Sequence, residues 1–266
     1  MIPLLCPVCH KPLTLDGSVY SCENRHTFDR SRYHYVNLIR SAKKIHGDNA
    51  DMVKARTRFL QSDAYLPLKE ELKKIVTEAA PATLLDSGCG EGYYTELCES
   101  LENCQCFGVD LSKEALKQAG RFCPHVTFAA ASIFTLPLPD HSIDLIWSCF
   151  APVAWEENHR VLTENGKLII IGPGPHHLFG LKKVLYDNPY LNPEENIGHD
   201  QFELIDQKTV SYTLECTSAQ MIQDLFTMTP YYFKTSIRDK EKLNALDHCS
   251  TEVEFVIRIY QKKNNH

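Results

Sequence analysis

The sequence predicts an α/β protein whose mainly parallel, doubly wound sheet carries a small metal-stapled module at its N-terminus. Three observations predict it. Apolar runs of strand length alternate with helical patterns from residue 82 onward, one of those runs ends in a glycine turn, and two pairs of metal-ligand side chains lie within the first 26 residues. Strands that alternate with helices pair in parallel through crossover connections. A chain of 266 residues with 43% hydrophobic content accommodates one such domain and something small beside it.

The first element is the paired motif. Cys6-Pro7-Val8-Cys9 is followed, after twelve residues, by Cys22 and, after three more, by His26. Two pairs at this distance can close a tetrahedral thiolate and imidazole site around zinc. The segment Lys11 to Ser21, with Asp16-Gly17 at its centre, reads as a hairpin that sets the pairs face to face. A redox Cys-x-x-Cys would belong beside a βαβ unit, which this segment lacks. Four protein ligands leave no open position, so the zinc would be structural and supply much of the stability of so small a module. His10 is an alternative to His26, although its adjacency to Cys9 makes joint ligation awkward.

Thr27 to Asp63 is polar and basic, with Phe28, Tyr33 and Tyr35 interleaved among Arg30, Arg32 and Arg40. Aromatic and guanidinium groups together suit stacking on unpaired bases and contact with phosphates. Ser41 to Ala50 reads as a flexible loop. A helix is expected over Asp51 to Leu60, with Met52, Ala55, Phe59 and Leu60 inward and Lys54, Arg56 and Arg58 outward. A second, Tyr65 to Thr77, buries Leu68, Leu72, Ile75 and Val76.

Leu84 to Tyr94 is the stretch around which the remainder is organised. Ala82 to Asp86 suits a buried parallel strand, Gly88, Gly90 and Gly92 make a turn, and Tyr93 to Glu102 continues as a helix. Strand, glycine turn and helix bring a nucleotide-like cofactor against backbone amides. Asp86 at the strand end would not help bind a phosphate. A second strand, Phe107 to Asp110, places its terminal acid twenty residues after Gly90, the spacing at which a carboxylate meets ribose hydroxyls. Acid, glycines and acid together favour a cofactor with a ribose and a cationic amino-acid end, which describes S-adenosylmethionine. The alternative is a tight turn without a ligand.

Further strands are expected at Val126–Ala130, Ser142–Ser148 and Gly166–Gly172, with helices from Ser112 to Gly120 and from Glu156 to Leu162. Alternating runs at Thr209–Leu214 and Glu252–Tyr260 suit antiparallel edge strands, separated by helices near 219–226 and 240–246.

The net charge of −6 hides an asymmetry: residues 1–60 hold ten Lys/Arg against five acids, a surplus of five, which leaves −11 for the remainder. A basic appendage on an acidic domain points to a polyanionic partner, or else to a solvated basic face. No apolar run approaches the ~20 residues that span a bilayer. The N-terminus lacks the features of a secretory signal, and eleven irregularly spaced cysteines argue against a disulfide scaffold. A cytoplasmic protein without membrane contact is expected.

Leu85-Asp86-Ser87-Gly88-Cys89-Gly90-Glu91-Gly92-Tyr93-Tyr94 resembles the first motif of class I S-adenosylmethionine-dependent methyltransferases. Taken with the Cys/His module, the basic linker, Tyr35-Val36-Asn37-Leu38, Pro173-Gly174-Pro175-His176-His177-Leu178 and Met228-Thr229-Pro230, the chain resembles the RlmA family end to end. These are 23S rRNA (guanine-N1)-methyltransferases. The resemblance implies a zinc-binding RNA-recognition module over 1–37, a basic linker over 38–63, a Rossmann-like methyltransferase domain over 64–266, and a homodimer. It implies zinc on Cys6, Cys9, Cys22 and His26. Tyr65, the glycine turn with Tyr93 and Tyr94, and His177 would touch S-adenosylmethionine, with Asp110 on the ribose. Where many class I enzymes carry an adenine-reading Asp, this chain has Ala130-Ala131-Ser132, leaving that contact to backbone amides or Ser132.

Methyl transfer from a sulfonium is an in-line displacement, so alignment is the main task. Guanine N1 carries a proton and is paired in a helix, so the base must be unpaired or extruded. Cys149-Phe150-Ala151-Pro152 follows the fourth strand at the carboxyl edge, and Phe150 is expected to stack on the guanine unless it is a core residue. His177 is a candidate base, a cofactor contact or a helix cap. Cys89 and Cys149 read as packing residues. A small-molecule methyltransferase and a non-catalytic zinc-containing RNA-binding protein are the alternative functions; the first gives no reason for the zinc module, the second none for the glycine turn and its acids.

Overall fold

The protein was analysed as a computed structural model, which describes residues 1–40, 49–193 and 198–263. Most of the loop expected over Ser41–Ala50, including Lys43, Lys44, Gly47 and Asp48, lies outside the described residues. The N-terminal part forms β1 (Thr14–Asp16), β2 (Val19–Ser21), β3 (Thr27–Asp29) and β4 (Tyr35–Asn37), then helices α1 (Ala50–Leu60) and α2 (Leu66–Ala79). The α/β core follows as β5 (Thr83–Ser87), β6 (Gln105–Asp110), α3 (Lys113–Phe122), β7 (Thr127–Ala130), β8 (Ile143–Cys149), α4 (Trp155–Val161) and β9 (Leu162–Pro173). It closes with α5 (Phe179–Leu185), β10 (Phe202–Cys216), α6 (Ala219–Thr227), α7 (Ile237–Asn244) and β11 (Cys249–Lys262).

Eight strands form one sheet in the order β10-β11-β9-β8-β5-β6-β7-β4. Pairing is parallel from β9 across to β4, and β11 runs antiparallel to both β9 and β10. The expected doubly wound sheet is therefore present. Its inner strands read as continuous apolar runs because both faces are covered: Leu84, Leu145 and Ile169 join one core, while Leu85, Ile146 and Leu168 join the other. The strand order reverses at β5, whose two neighbours are β6 and β8. That reversal opens a crevice at the carboxyl ends of the strands, which is where the glycine turn lies.

Two local expectations are corrected. No helix spans Tyr93–Glu102; only a 3₁₀ turn, Thr95–Ser100, forms there. Gly92 sits at φ +88° and the Thr95 hydroxyl is drawn to Asp86 at 2.6 Å, so the chain turns before it can wind. The two antiparallel strands are also longer than their alternating cores, because they pair with each other from Phe202↔Lys262 to Cys216↔Cys249, and only β10 is an edge, since β11 also pairs with β9.

The N-terminal module is built into the core. β1, β2 and β3 form an antiparallel meander, with Asp16 and Val19 paired across the expected turn. β4, which the sequence assigned to the zinc module, pairs in parallel with β7 and so extends the main sheet (Tyr35↔Phe128, Asn37↔Ala130). The Ile2 amide donates to Gln105 Oε1 and the Gln105 amide donates back to the Ile2 carbonyl, each at 2.7 Å. Leu4, Cys6, Leu13 and Cys22 share a buried core with Leu85, Phe107 and Val109.

This docking needs glycine at one position. A Cβ added to Gly120 on α3 would lie 1.8 Å from the Tyr33 carbonyl oxygen, between β3 and β4. Gly120→Ala is therefore expected to destabilise the protein by about 1–3 kcal/mol through overpacking, outweighing the ~1 kcal/mol that alanine gains in a helix. Denaturant unfolding measures this, and an unchanged or raised midpoint would contradict the packing.

Candidate functional site

The metal-ligand side chains converge. The ligand atoms of Cys6, Cys9, Cys22 and His26 all lie within 4.8 Å of one another. Cys9 Sγ is 3.7 Å from Cys22 Sγ, and His26 Nδ1 is 3.5 Å from Cys6 Sγ and 3.4 Å from Cys22 Sγ. A zinc tetrahedron with Zn–S arms of ~2.3 Å and Zn–N arms of ~2.0–2.1 Å has edges of about 3.5–3.8 Å, so the donors fit that ion. The Lys11 amide above all holds the Cys9 thiol down at about 6, which suits a thiolate ligand. His10 is exposed at φ +58° and is not in the cluster.

The second site is a cleft of about 330 Å³ at the switch point, lined by Gly88 and Gly90 of the glycine turn, the ends of β5, β6 and β8, part of α1 and Tyr65 just before α2; Gly92 is not in its wall and faces Ala119 of α3 instead. Asp110 ends β6 in it and accepts the Gly90 amide at 2.9 Å and the Ser112 amide at 2.7 Å. Gly88 stands at φ +85°, and a Cβ there would lie 2.6 Å from Ala151, so glycine is required to keep the turn against the loop after β8. Asp86 is buried and accepts from Thr95; burial, aided by the charges of Asp110 and Glu91, pushes it up to about 7. Tyr93 and Tyr94 line the cleft, and the buried Tyr94 hydroxyl has no hydrogen-bond partner among the described residues. A bound molecule could satisfy it.

A cofactor with a ribose and a flat base fits these walls. Asp110 is placed for hydroxyls, the glycine turn permits close approach of backbone, and Leu111, Ile133 and Phe134 supply an apolar rim. Tyr65 also lines the cleft, held edge-on against Phe59 (5.1 Å) and Phe255 (4.7 Å). His177 stands behind this wall. Its Nδ1 accepts the Glu254 amide at 3.3 Å, leaving the proton on Nε2, 3.5 Å from the Tyr65 hydroxyl. Desolvation, then the charge of Lys182, pushes this imidazole down to about 3, so it stays neutral. Phe150 is 45% exposed in the cleft at φ +55°, its amide tied to the Ile171 carbonyl at 2.9 Å and its ring stacked 6.3 Å from His177.

Other expected contacts fall elsewhere. Tyr35 is buried in one core and so is not displayed for stacking on bases, while Phe28 is half-buried against the other. Two guanidinium groups, of Arg32 and Arg121, each lie 4.8 Å from the centre of the Tyr33 ring. Arg56 and Arg58 do not simply face water: Arg56 Nε donates to Glu91 at 2.6 Å, and Arg58 makes a two-pronged pair with the buried Asp224 at 2.9 and 2.5 Å. Arg56, Phe134 and Met228 line the cleft although the sequence assigned none of them to the cofactor site, because nothing in spacing links residue 56 or 228 to a glycine turn near 90.

Two family descriptions match the chain: RlmA, N-terminal, over residues 4–45, and a methyltransferase domain over 85–170. The 23S rRNA (guanine(748)-N(1))-methyltransferase of Streptomyces fradiae is 36% identical over 188 residues, covering 68% of this chain and 67% of that protein. The chain belongs to the RlmA family. YxjB of Bacillus subtilis (strain 168) is 32% identical to it over 197 residues, 69% of each chain. Outside RlmA proteins the match shortens: malonyl-[acyl-carrier protein] O-methyltransferase of Dechloromonas aromatica is 33% identical over 117 residues, 41% of this chain and 44% of that one. S-adenosylmethionine and a structural zinc are the cofactors of this RlmA chain, and the cleft and the Cys/His cluster are where donors of the right kind gather.

Proposed function

We propose that the protein transfers a methyl group from S-adenosylmethionine to N1 of a guanine in a 23S rRNA hairpin. The observation that carries this is the fusion of the Cys/His module to the sheet through β4, in a chain 36% identical to an enzyme of that activity. RNA gripped by the module would be held at a fixed distance from the cleft.

The cofactor, when bound, supplies a methyl group on a cationic sulfur. Asp110 would accept its ribose hydroxyls, Asp86 and the turn through Gly88, Gly90 and Gly92 would hold its amino-acid end, and Tyr65, Tyr93 and Tyr94 would wall it in. His177 serves by donating from Nε2 to Tyr65, a positioning role; its other nitrogen is already an acceptor. Cys6, Cys9, Cys22 and His26 hold the zinc. Residues 1–37 recognise RNA, 38–63 serve as the basic linker, and 64–266 carry out transfer. The protein acts in the cytoplasm, as a homodimer by family resemblance, and no helix among the described residues is long and apolar enough to cross a membrane.

Phe150 stacks on the extruded guanine, which its exposure at the cleft mouth supports. Base stacking on an aromatic ring contributes about 1–3 kcal/mol, so Phe150→Ala is expected to lower kcat/KM for rRNA roughly 5- to 100-fold. Affinity for S-adenosylmethionine should stay as it was, and an unchanged rate on rRNA would sink the assignment. The activity itself is tested by incubating unmodified 23S rRNA with labelled S-adenosylmethionine and analysing the nucleosides by mass spectrometry. A 1-methylguanosine product is expected; cofactor binding without incorporation into RNA would overturn the substrate.

A further inference from the structure

We propose that Arg32 and Arg121 clamp the phosphate backbone of RNA at the seam between the zinc module and α3, and that a row of cations on α3 carries the same strand toward the rim of the cleft. The inference rests on the reading that the substrate is RNA, and it gives the transferase domain its own share in holding it.

The two guanidinium groups come from distant parts of the chain and meet at one side chain. Each lies 4.8 Å from the centre of the Tyr33 ring, and Arg32 Nη2 donates to the Tyr33 hydroxyl at 2.6 Å. Both groups, the Arg32 hydrogen bond above all, pull the phenol below its ordinary pKa. Arg121 Nη1 also reaches Gln118 Oε1 at 3.4 Å. Elsewhere Arg58 and Arg160 meet acids, whereas among the described residues neither Arg32 nor Arg121 pairs with a carboxylate. Two like charges gathered in this way repel until an anion joins them, and the planar fork of a guanidinium matches phosphate oxygens.

The seam is built to hold its shape. The Tyr33 amide donates to Ser31 Oγ at 3.2 Å, the His34 amide to the Ser31 carbonyl at 2.9 Å, and the Ser31 amide to the Tyr35 carbonyl at 2.7 Å. Gly120 of α3 abuts the Tyr33 carbonyl closely enough to exclude a Cβ. The turn and the helix are thus locked together, and a ligand that meets both pays little further ordering cost.

α3 extends the charge. Lys113, Lys117 and Arg121 recur at steps of four, so they stand in a row about 6 Å apart. Ala115, Leu116, Ala119 and Gly120 are buried on the other side. Lys113 and Arg121 are exposed; Lys117 carries less weight, because Glu114 pairs with it at 2.6 Å. The row begins just after Asp110, which lies in the cleft wall, and ends at Tyr33. Its length of ~12 Å spans about three or four nucleotides at the ~3.4 Å rise of a helical strand.

Filter binding of unmodified 23S rRNA to the zinc-loaded full chain, from about 50 to 200 mM salt, tests this. Arg32→Gln, Arg121→Gln and Lys113→Gln are each expected to weaken binding roughly tenfold and to lower the slope of log affinity against log salt by about 1. Arg121→Lys keeps the charge and should keep the slope. Affinity for S-adenosylmethionine, read by calorimetry, should stay as it was in all four. A purely structural role at the seam would weaken binding and leave the slope unchanged. An unchanged slope in Arg32→Gln or Arg121→Gln therefore overturns the clamp, and one in Lys113→Gln overturns the row. Arg32 lies in an exposed turn, so its variant decides the matter even if Arg121→Gln does not fold. Failure of the wild type to bind 23S rRNA would instead overturn the RNA reading.

Discussion

Replacing Cys22 with serine is expected to abolish stoichiometric zinc and to cut methyl transfer to rRNA by more than a hundredfold. Cys22 is 8% exposed and stands 3.4 Å from His26 and 3.7 Å from Cys9, at the centre of the ligand cluster. Structural zinc contributes on the order of 10–16 kcal/mol to the folding of small modules, and three strands of three residues offer little else to hold this one. Its collapse would also expose the apolar surface that Leu4 and Leu13 cover and would loosen β4 from β7. The cleft is lined by other elements, so affinity for S-adenosylmethionine should change less than about tenfold. Metal analysis, cofactor titration and rRNA methylation on the same preparation separate these effects. Full rRNA activity in zinc-free protein would refute the role given to the module.

Asp110→Ala should have the largest effect on the cofactor, raising the Kd for S-adenosylmethionine a hundredfold or more. One carboxylate there holds the Gly90 and Ser112 amides and, on the proposed reading, would also hold the cofactor's ribose. Each hydrogen bond to a charged group contributes about 1.5–3 kcal/mol, so losing two ribose contacts and the ordering of the turn amounts to roughly 3–5 kcal/mol. Asp110→Asn keeps one acceptor oxygen and should lose less. Calorimetry decides between these values, and a Kd within threefold of wild type would remove Asp110 from the site.

Much of this arrangement was legible in the residues. The inner strands could be read because burial on both faces leaves uninterrupted apolar runs, and Ser112 announced the start of α3 by capping the Ala115 amide. The Cys/His spacing and the Asp86–glycine–Asp110 pattern pointed to two sites that the fold does assemble. What escaped was set by distant partners. β4 is three residues long and acquires its identity only by pairing with β7. Arg56 and Arg58 looked like solvated charges, since their acidic partners stand 35 and 166 residues away. Tyr35 looked like a display aromatic, and the same strand pairing buries it. The helix expected after Gly92 shrinks to the 3₁₀ turn Thr95–Ser100, with Gly92 at φ +88° before it, a conformation that no helical pattern in the sequence signals.

The parallel pairing of β4 with β7 also has a consequence for how the chain is made. Val36 meets Ala129, so the first-synthesised module has no docking surface until about ninety more residues have been added. At about 5–20 residues per second, that interval lasts roughly 5–20 seconds. Throughout it the module must survive on its own, with Leu4 and Leu13 lacking the core they later join. Zinc bound during that interval would act as a chaperone in effect, keeping the nascent module in shape until the sheet edge that receives it has emerged.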